Sequence, residues 1–447
     1  MPICPIDIGR YGSEEIRRIF DENYRLQKML DVESTLAEVL AELGEIPKEA
    51  AEEIKRKAKI DFVTIEKVKQ KEKKTHHDIM AMVEVLAEEC GEYGKYVHWG
   101  ATSYDIVDTS WALIIKEAIS IIENKLRAFR DKLCDLAIKN KKLIMIGRTH
   151  GQHALPITFG FKIAVYAAEI GRNLERLNEI KKRVFVGKMS GAVGTMASFG
   201  DKGIEIEKKV MEKLGLREAE ISTQIICRDR IAELICWAGI LASSLDRIAT
   251  EIRNLQRTEI LEVAEGFGKE QVGSSTMPHK QNPVDCEKVC GLAKVIRGFL
   301  ITALENIPLW HERDLTNSSS ERFIIPLTFI ILDEMIETMN KVIENIRIFP
   351  ENMKRNLEIT KGAILSEAIM MALARKGLGR QKAHEILRKL SIKAFNEGKS
   401  LKEVIKEDEL VMKNLSEKEI DELMKPENYL GKVEELIDRA VKYAKST

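Results

Sequence analysis

The chain is short of the residues that interrupt helices and of those that staple small folds. It has 10 prolines in 447 residues, none of them between Pro47 and Pro156 or between Pro156 and Pro278. Stretches free of the main helix breaker permit unusually long helices. Aromatic residues make up only 6%, and 71 basic side chains balance 71 acidic ones. That leaves neither a stacking track nor a basic face for nucleic acid, so no nucleic-acid partner is expected. The same balance gives no global pull toward an anionic membrane. No run approaches the roughly 18 apolar residues of a membrane span. The 7 cysteines are odd in number and follow no pairing rhythm, which reads as a reduced, cytoplasmic protein. Cys286 and Cys290 stand one helical turn apart and read as small residues on a packed helix. The opening "MPICPIDIGRYGSEE" carries neither a basic leader nor an apolar run, so no secretory signal is expected.

Apolar residues are plentiful, at 44%, and their spacing is helical. In 231–265 the residues Leu234, Ala238, Leu241, Leu245, Ile248, Ile252 and Leu255 recur at alternating steps of four and three. Such a stripe belongs to a helix packed lengthwise against others. Similar spacing runs through 109–138 and 157–183, and less regularly through 284–306 and 327–346. Period-two alternation is scarce. The expected fold is all-α, with about five long helices bundled at the centre. Residues 1–108 read as a shorter-jointed helical domain, with "RLQKMLDVESTLAEVLAELG" its best helix. Residues 109–362 form the central long-helix bundle domain, and 363–447 a C-terminal helical domain.

Polar clusters interrupt this pattern. They are "KTHHDIMA" (74–81), "HWGATSYDI" (98–106), "IGRTHGQHALP" (146–156), "GKMSGAVGTMASFG" (187–200), "KEQVGSSTMPHKQNPVDCEK" (269–288) and "WHERDLTNSSSERF" (310–323). None is a nucleotide P-loop, because the order Gly-Lys-Ser/Thr after a glycine-rich stretch is missing. Of the 8 histidines, only His384 lies outside these clusters. A zinc site is the first alternative for them. There is no His-Glu-x-x-His, no close cysteine pair and no acidic cluster beside the histidines, so no metal is expected. Histidine titrates near neutrality and moves protons, while Arg10, Arg313 and Arg322 suit bidentate contacts to phosphate or carboxylate. The residues point to acid–base chemistry on an anion. Each arginine taken alone reads first as a solvated surface residue, and the case for an anion pocket rests on the adjacent hydroxyls and glycines.

The segment "GSSTMPHKQNP" resembles the characteristic loop of the fumarase/aspartase superfamily, whose members release fumarate. "GRTHGQHALP", "KTHHD" and His279 before Lys280 resemble the adenylosuccinate lyases within it. The resemblance runs from Arg10 to Phe323 and is slight beyond. It implies a three-domain all-α fold and a homotetramer whose active sites draw on three subunits. It also implies elimination of fumarate from succinylated purine nucleotides, giving AMP or the carboxamide ribotide AICAR, with no cofactor.

By resemblance, Ser274 is the general base, Lys280 its electrostatic partner and His150 the general acid. His77 then orients substrate and tunes His150. From the residues alone, Ser275 stays open as the alternative base. Substrate binding falls by the same resemblance to Arg10 and Tyr11 (phosphate) and to Thr102 and Ser103 (carboxylate). Gln224 contacts substrate, and Arg313, Ser318 and Arg322 form the nucleotide group. Gln152, Met277 and Asn282 meet the succinyl end, while His76 and Asp78 flank His77. "SGAVGT" (190–195) is given only a structural part, its glycines allowing close backbone approach. The alternatives are argininosuccinate lyase or another fumarate-releasing lyase, and a non-catalytic helical nucleotide-binding protein.

Overall fold

The computed structural model describes residues 4, 6–268, 276, 277 and 279–447. They are predominantly helical, and five helices exceed 21 residues: Ser103–Lys139, Phe159–Val184, Asp229–Leu255, Val284–Glu305 and Thr316–Glu344. All seven residues of the 234–255 apolar stripe are buried, as its spacing requires. That helix stops at Leu255, ten residues short of the expected 265. The chain then turns through Gln256–Leu261, and Leu261 takes a left-handed conformation (φ 44°).

The last long helix begins at Thr316, well before the expected 327, and carries Pro326 within it. Proline offers no N–H to the carbonyl of Arg322, yet the turns on either side hold. The cluster "TNSSSERF" is therefore helical rather than a loop.

The clearest departure from the expected pattern is a hairpin. Ile144–Thr149 and Gln152–Thr158 pair antiparallel, with a register shift at Gly147. The two linking residues, His150 and Gly151, both have positive φ (52° and 75°). This is the mirror-image turn that two-residue hairpins favour, and "HG" between β-branched and aliphatic residues was its sequence signal. Proline and polar residues on the second strand masked the alternation.

The residues separate into two compact units. The first comprises Met1–Leu126, Asn173–Leu245 and Gly291–Glu337; the second comprises Arg127–Arg172, Asp246–Cys290 and Thr338–Thr447. In the first, the buried Trp237 donates from Nε1 to the Asn173 carbonyl (3.0 Å), and Asn173 donates to Ser244 Oγ (3.2 Å). Gly239 lets the Leu300 side chain come close. In the second, a cluster of Ile369, Leu373, Leu387, Leu401, Val404 and Ile420 forms a core among the shorter helices after 366. There Ser400 and Ser416 each close a capping box, with Glu403 and Glu419 respectively, which fixes where those short helices begin.

Candidate active site

In the first unit, helix N-termini surround a cavity of about 280 Å³. His76, His77 and Asp78 line it from the start of the Asp78–Glu89 helix. Ser103 and Tyr104 line it from the start of the Ser103–Lys139 helix, and Leu315 and Ser318 from the start of the Thr316–Glu344 helix. Arg25 lines it from the first turn of the Glu22–Glu42 helix, Glu72 from the last turn of the Ile65–Thr75 helix, and Glu321 from the Thr316–Glu344 helix. Unpaired N–H groups and the macrodipole make each helix N-terminus attractive to anions. Arg313 and Arg322 add two guanidinium groups to the wall.

Each of these groups is held by a specific neighbour. His77 caps its helix, Nδ1 accepting from the Met80 N–H (3.2 Å). An accepting Nδ1 carries no proton, so the proton of the neutral ring sits on Nε2, available to donate. Asp78 accepts from Arg322 Nη2 at 3.0 Å. Arg313 donates to Gln224 Oε1 (2.8 Å), and its guanidinium lies 3.6 Å from the centre of the Tyr104 ring. Tyr104 also has the Arg228 guanidinium 5.9 Å from its ring centre. Arg228 is buried and forms a fork with Asp108 (3.0 and 2.7 Å), its Nε 3.0 Å from Glu321 Oε1. Burial works against the charge of Arg228, but Asp108 and Glu321 outweigh it and raise its pKa. Burial pushes the Glu321 carboxyl up to about 7, against the pull of Arg228.

The backbone around Thr102 and Ser103 is organised from below by Asp105. This fully buried carboxylate accepts from the N–H groups of Thr102 (2.8 Å), Ser190 (2.9 Å) and Gly191 (3.0 Å). It also pairs with Lys188, equally buried. One aspartate thus ties the "GATS" turn to the "SGAVGT" segment. That segment approaches the strand of chain leading to Gln224: Ser190 Oγ lies 2.8 Å from Ser222 Oγ, and Gly194 (φ 86°) passes against the Ser222 carbonyl. No side chain fits at Gly194, which accounts for that glycine.

Arg10 and Tyr11 precede a loop fixed by acids of the last long helix. Gly12 N–H donates to Glu334 (3.1 Å) and Ser13 N–H to the buried Asp333 (2.8 Å). Neither Arg10 nor Tyr11 is among the residues lining the cavity.

The remaining expected residues belong to the second unit. His150 sits exposed at the hairpin turn, beside the exposed Gln152. The hairpin is anchored two residues away by Arg148, which forks onto the fully buried Glu262 (2.9 and 2.8 Å). Asn356 donates to the same carboxylate at 2.8 Å. Burial, with Arg148 adding to it, lowers the pKa of the neighbouring His153. Met277, Lys280 and Asn282 also fall here, and the Lys280 N–H closes a turn onto the Met277 carbonyl (3.1 Å). Ser274 and Ser275 lie outside the described residues.

Four of the eight histidines, His76, His98, His150 and His311, have left-handed backbones. Histidine enters this region more readily than most side chains, yet such geometry concentrates at functional turns. Sequence reasoning passed over Arg25, Tyr104, Asp105, Lys188 and Glu321. Each sits inside an ordinary helical or glycine-rich pattern, so only proximity marks them. Among the described residues, no three His, Cys, Asp or Glu side chains group as metal ligands. No described helix is long and apolar enough to cross a membrane.

Known proteins match this chain closely. The family model described as Lyase covers residues 9–298, and that described as Adenylosuccinate lyase C-terminus covers 362–440. The adenylosuccinate lyase of Pyrococcus abyssi is 56% identical over 443 residues, 99% of this chain and 98% of the relative. That of Methanocaldococcus jannaschii is 49% identical over 448 residues, 100% and 97% of the two chains. Among solved structures, a fumarate lyase from Mesorhizobium sp. BNC1 superposes with a TM-score of 0.90 at 32% identity, covering 99% of this chain and 100% of that one. The helical fold, the lyase profile across most of the chain and full-length identity near one half place this chain in the adenylosuccinate lyase family.

Proposed function

We propose that the chain eliminates fumarate from adenylosuccinate to give AMP, and from the succinylated carboxamide ribotide (SAICAR) to give AICAR. The observation that carries this reading is the cavity ringed by helix N-termini and arginines, a setting for an anionic nucleotide. Ser274 removes the proton from the carbon beside a succinyl carboxylate, and the electron pair builds a doubly charged aci-carboxylate. Lys280 and neighbouring N–H groups stabilise that charge as it develops. The C–N bond then breaks, and His150 delivers a proton to the departing N6 nitrogen.

His77, flanked by His76 and Asp78, orients the substrate through Nε2. Thr102, Ser103, Gln152, Met277 and Asn282 hold the succinyl end. Gln224, Arg313, Ser318 and Arg322 hold the nucleotide, with Arg10 and Tyr11 on its phosphate. The chain is divided functionally at about 108 and 362 into three domains.

The working form is a homotetramer in which each site takes residues from several copies. Two features support it: the assigned residues fall in both compact units, and apolar side chains stand exposed, among them Val295, Ile301, Leu304 and Phe323 on long helices and Trp310 between two of them. A cytoplasmic setting accords with seven free cysteines.

The test is to incubate purified protein separately with adenylosuccinate, SAICAR and argininosuccinate and follow fumarate. Release from the two purine substrates is expected. Release from argininosuccinate alone, or tight AMP binding with no release at all, overturns the reading.

A further inference from the structure

We propose that Arg25 is an anion-binding residue of the cavity and, together with Arg322, grips the phosphate of the nucleotide. The inference rests on the functional reading above for the identity of the ligand, and on independent geometry for the residue.

Arg25 lies on the first turn of the Glu22–Glu42 helix, where the macrodipole is positive and a cation is not favoured by its own helix. It is half-buried and lines the cavity beside Arg322, His76 and His77. Its guanidinium carbon sits 5.2 Å from the centre of the Trp111 ring. Among the described residues no carboxylate approaches its guanidinium within ion-pair distance, and the guanidinium makes no hydrogen bond; the backbone N–H donates to the Asp21 carbonyl (3.0 Å). The other two arginines are engaged differently: Arg322 donates to Asp78, while Arg313 donates to the neutral Gln224.

Burial lowers the pKa of Arg25, and the nearby charge of Arg322 lowers it further. Two guanidinium groups face one small space, which Asp78, Glu72 and Glu321 also line without any of them pairing with Arg25. The Arg25 guanidinium is thus left without an ion-pair partner, and a dianion placed between the two forks supplies one. The Trp111 ring face attracts the guanidinium as a cation and uses none of its N–H groups as conventional donors. Ser318, on the first turn of the Thr316–Glu344 helix, offers a hydroxyl and a helix terminus to the same anion. A phosphate fits these donors better than a planar carboxylate, because it presents three oxygens to three side chains, Arg25, Ser318 and Arg322, arriving from two helices.

The test compares wild type, Arg25→Gln and Arg25→Lys by calorimetric titration with AMP, adenosine and fumarate, after thermal melts establish that each is folded. Arg25→Met repeats the measurement should Arg25→Gln melt early. The expected result is AMP affinity reduced at least tenfold in Arg25→Gln with adenosine affinity unchanged, and Arg25→Lys between the two. AMP affinity equal to wild type in both neutral variants overturns the proposal. So does an equal loss for AMP and adenosine, which makes Arg25 a packing residue, or a loss confined to fumarate, which moves it to the succinyl end. If AMP binding depends on Arg25 but wild type releases no fumarate, the phosphate assignment holds and the proposed reaction fails.

Discussion

The Arg313 guanidinium lies over the Tyr104 ring at 3.6 Å from its centre, and donates in the plane to Gln224. One arginine is thus fixed both above and at its edge by residues more than 80 positions away in the chain. Stacking restricts the long side chain before substrate arrives, so less freedom is lost on binding. A cation over a desolvated aromatic face contributes about 0.5–2 kcal/mol.

Tyr104→Leu should therefore lower kcat/KM for adenylosuccinate by roughly tenfold, since about 1.4 kcal/mol is a factor of ten. Tyr104→Phe keeps the ring and should retain more activity than Tyr104→Leu. Steady-state kinetics of the two variants separate a platform from a spacer: equal losses would count against stacking.

Lys188 and Asp105 form an ion pair in which both side chains have no solvent exposure. Removing one partner of such a pair leaves the other buried and uncompensated, at a cost of about 3–5 kcal/mol. Lys188→Met should show that loss in urea unfolding, though three backbone N–H groups still reach Asp105. A loss under about 1 kcal/mol would mean that those N–H groups alone satisfy the carboxylate.

His98 carries a pH dependence of stability. Burial disfavours its charged form, but the buried Glu33 carboxylate, 2.6 Å from Nδ1, outweighs burial and raises the pKa above the usual 6.5. The folded protein therefore holds a proton that the unfolded chain has released. Stability from this pair is fully present below pH 6.5 and declines as pH rises through the raised value. Unfolding midpoints between pH 6 and 9 should fall in wild type relative to His98→Gln. Parallel profiles would show that the pair stays unprotonated.

Gly194→Ala should be destabilising for two reasons that act together. Its φ of 86° is costly for any side chain, and a methyl group would collide with the Ser222 carbonyl. A loss of at least about 1–3 kcal/mol is expected from the backbone conformation alone. Thermal melting checks it, and an unchanged midpoint would show that the "SGAVGT" segment has room to move.

Mixing two inactive variants probes the shared site. Ser274→Ala and His150→Gln each remove one proton-transfer group and should cut turnover by orders of magnitude. If the two groups serve one site from different copies, subunit exchange between the variants should restore part of the activity. No recovery after exchange has been verified by mass would place both groups on one copy.

Helical periodicity alone determined the fold class and which segments form the long helices, though not all of their ends, because a stripe such as Leu234–Leu255 buries the same face whatever it packs against. Motif order also singled out the segments bearing His77, His150, Arg313 and Arg322. It did not reveal the His150–Gly151 hairpin, where proline and polar residues blur the alternation. Nor did it reveal that the serine-rich segment is a helix running through Pro326. The supporting residues were invisible for a physical reason. Arg25, Tyr104, Asp105 and Lys188 obtain their meaning from partners distant in the chain, and no local spacing encodes a stacked ring or a buried ion pair. The sequence determined which elements form and which side chains can move protons or hold anions. Only the tertiary structure decided that several helix N-termini meet at one cavity, because the field they produce there depends on where those ends lie in space.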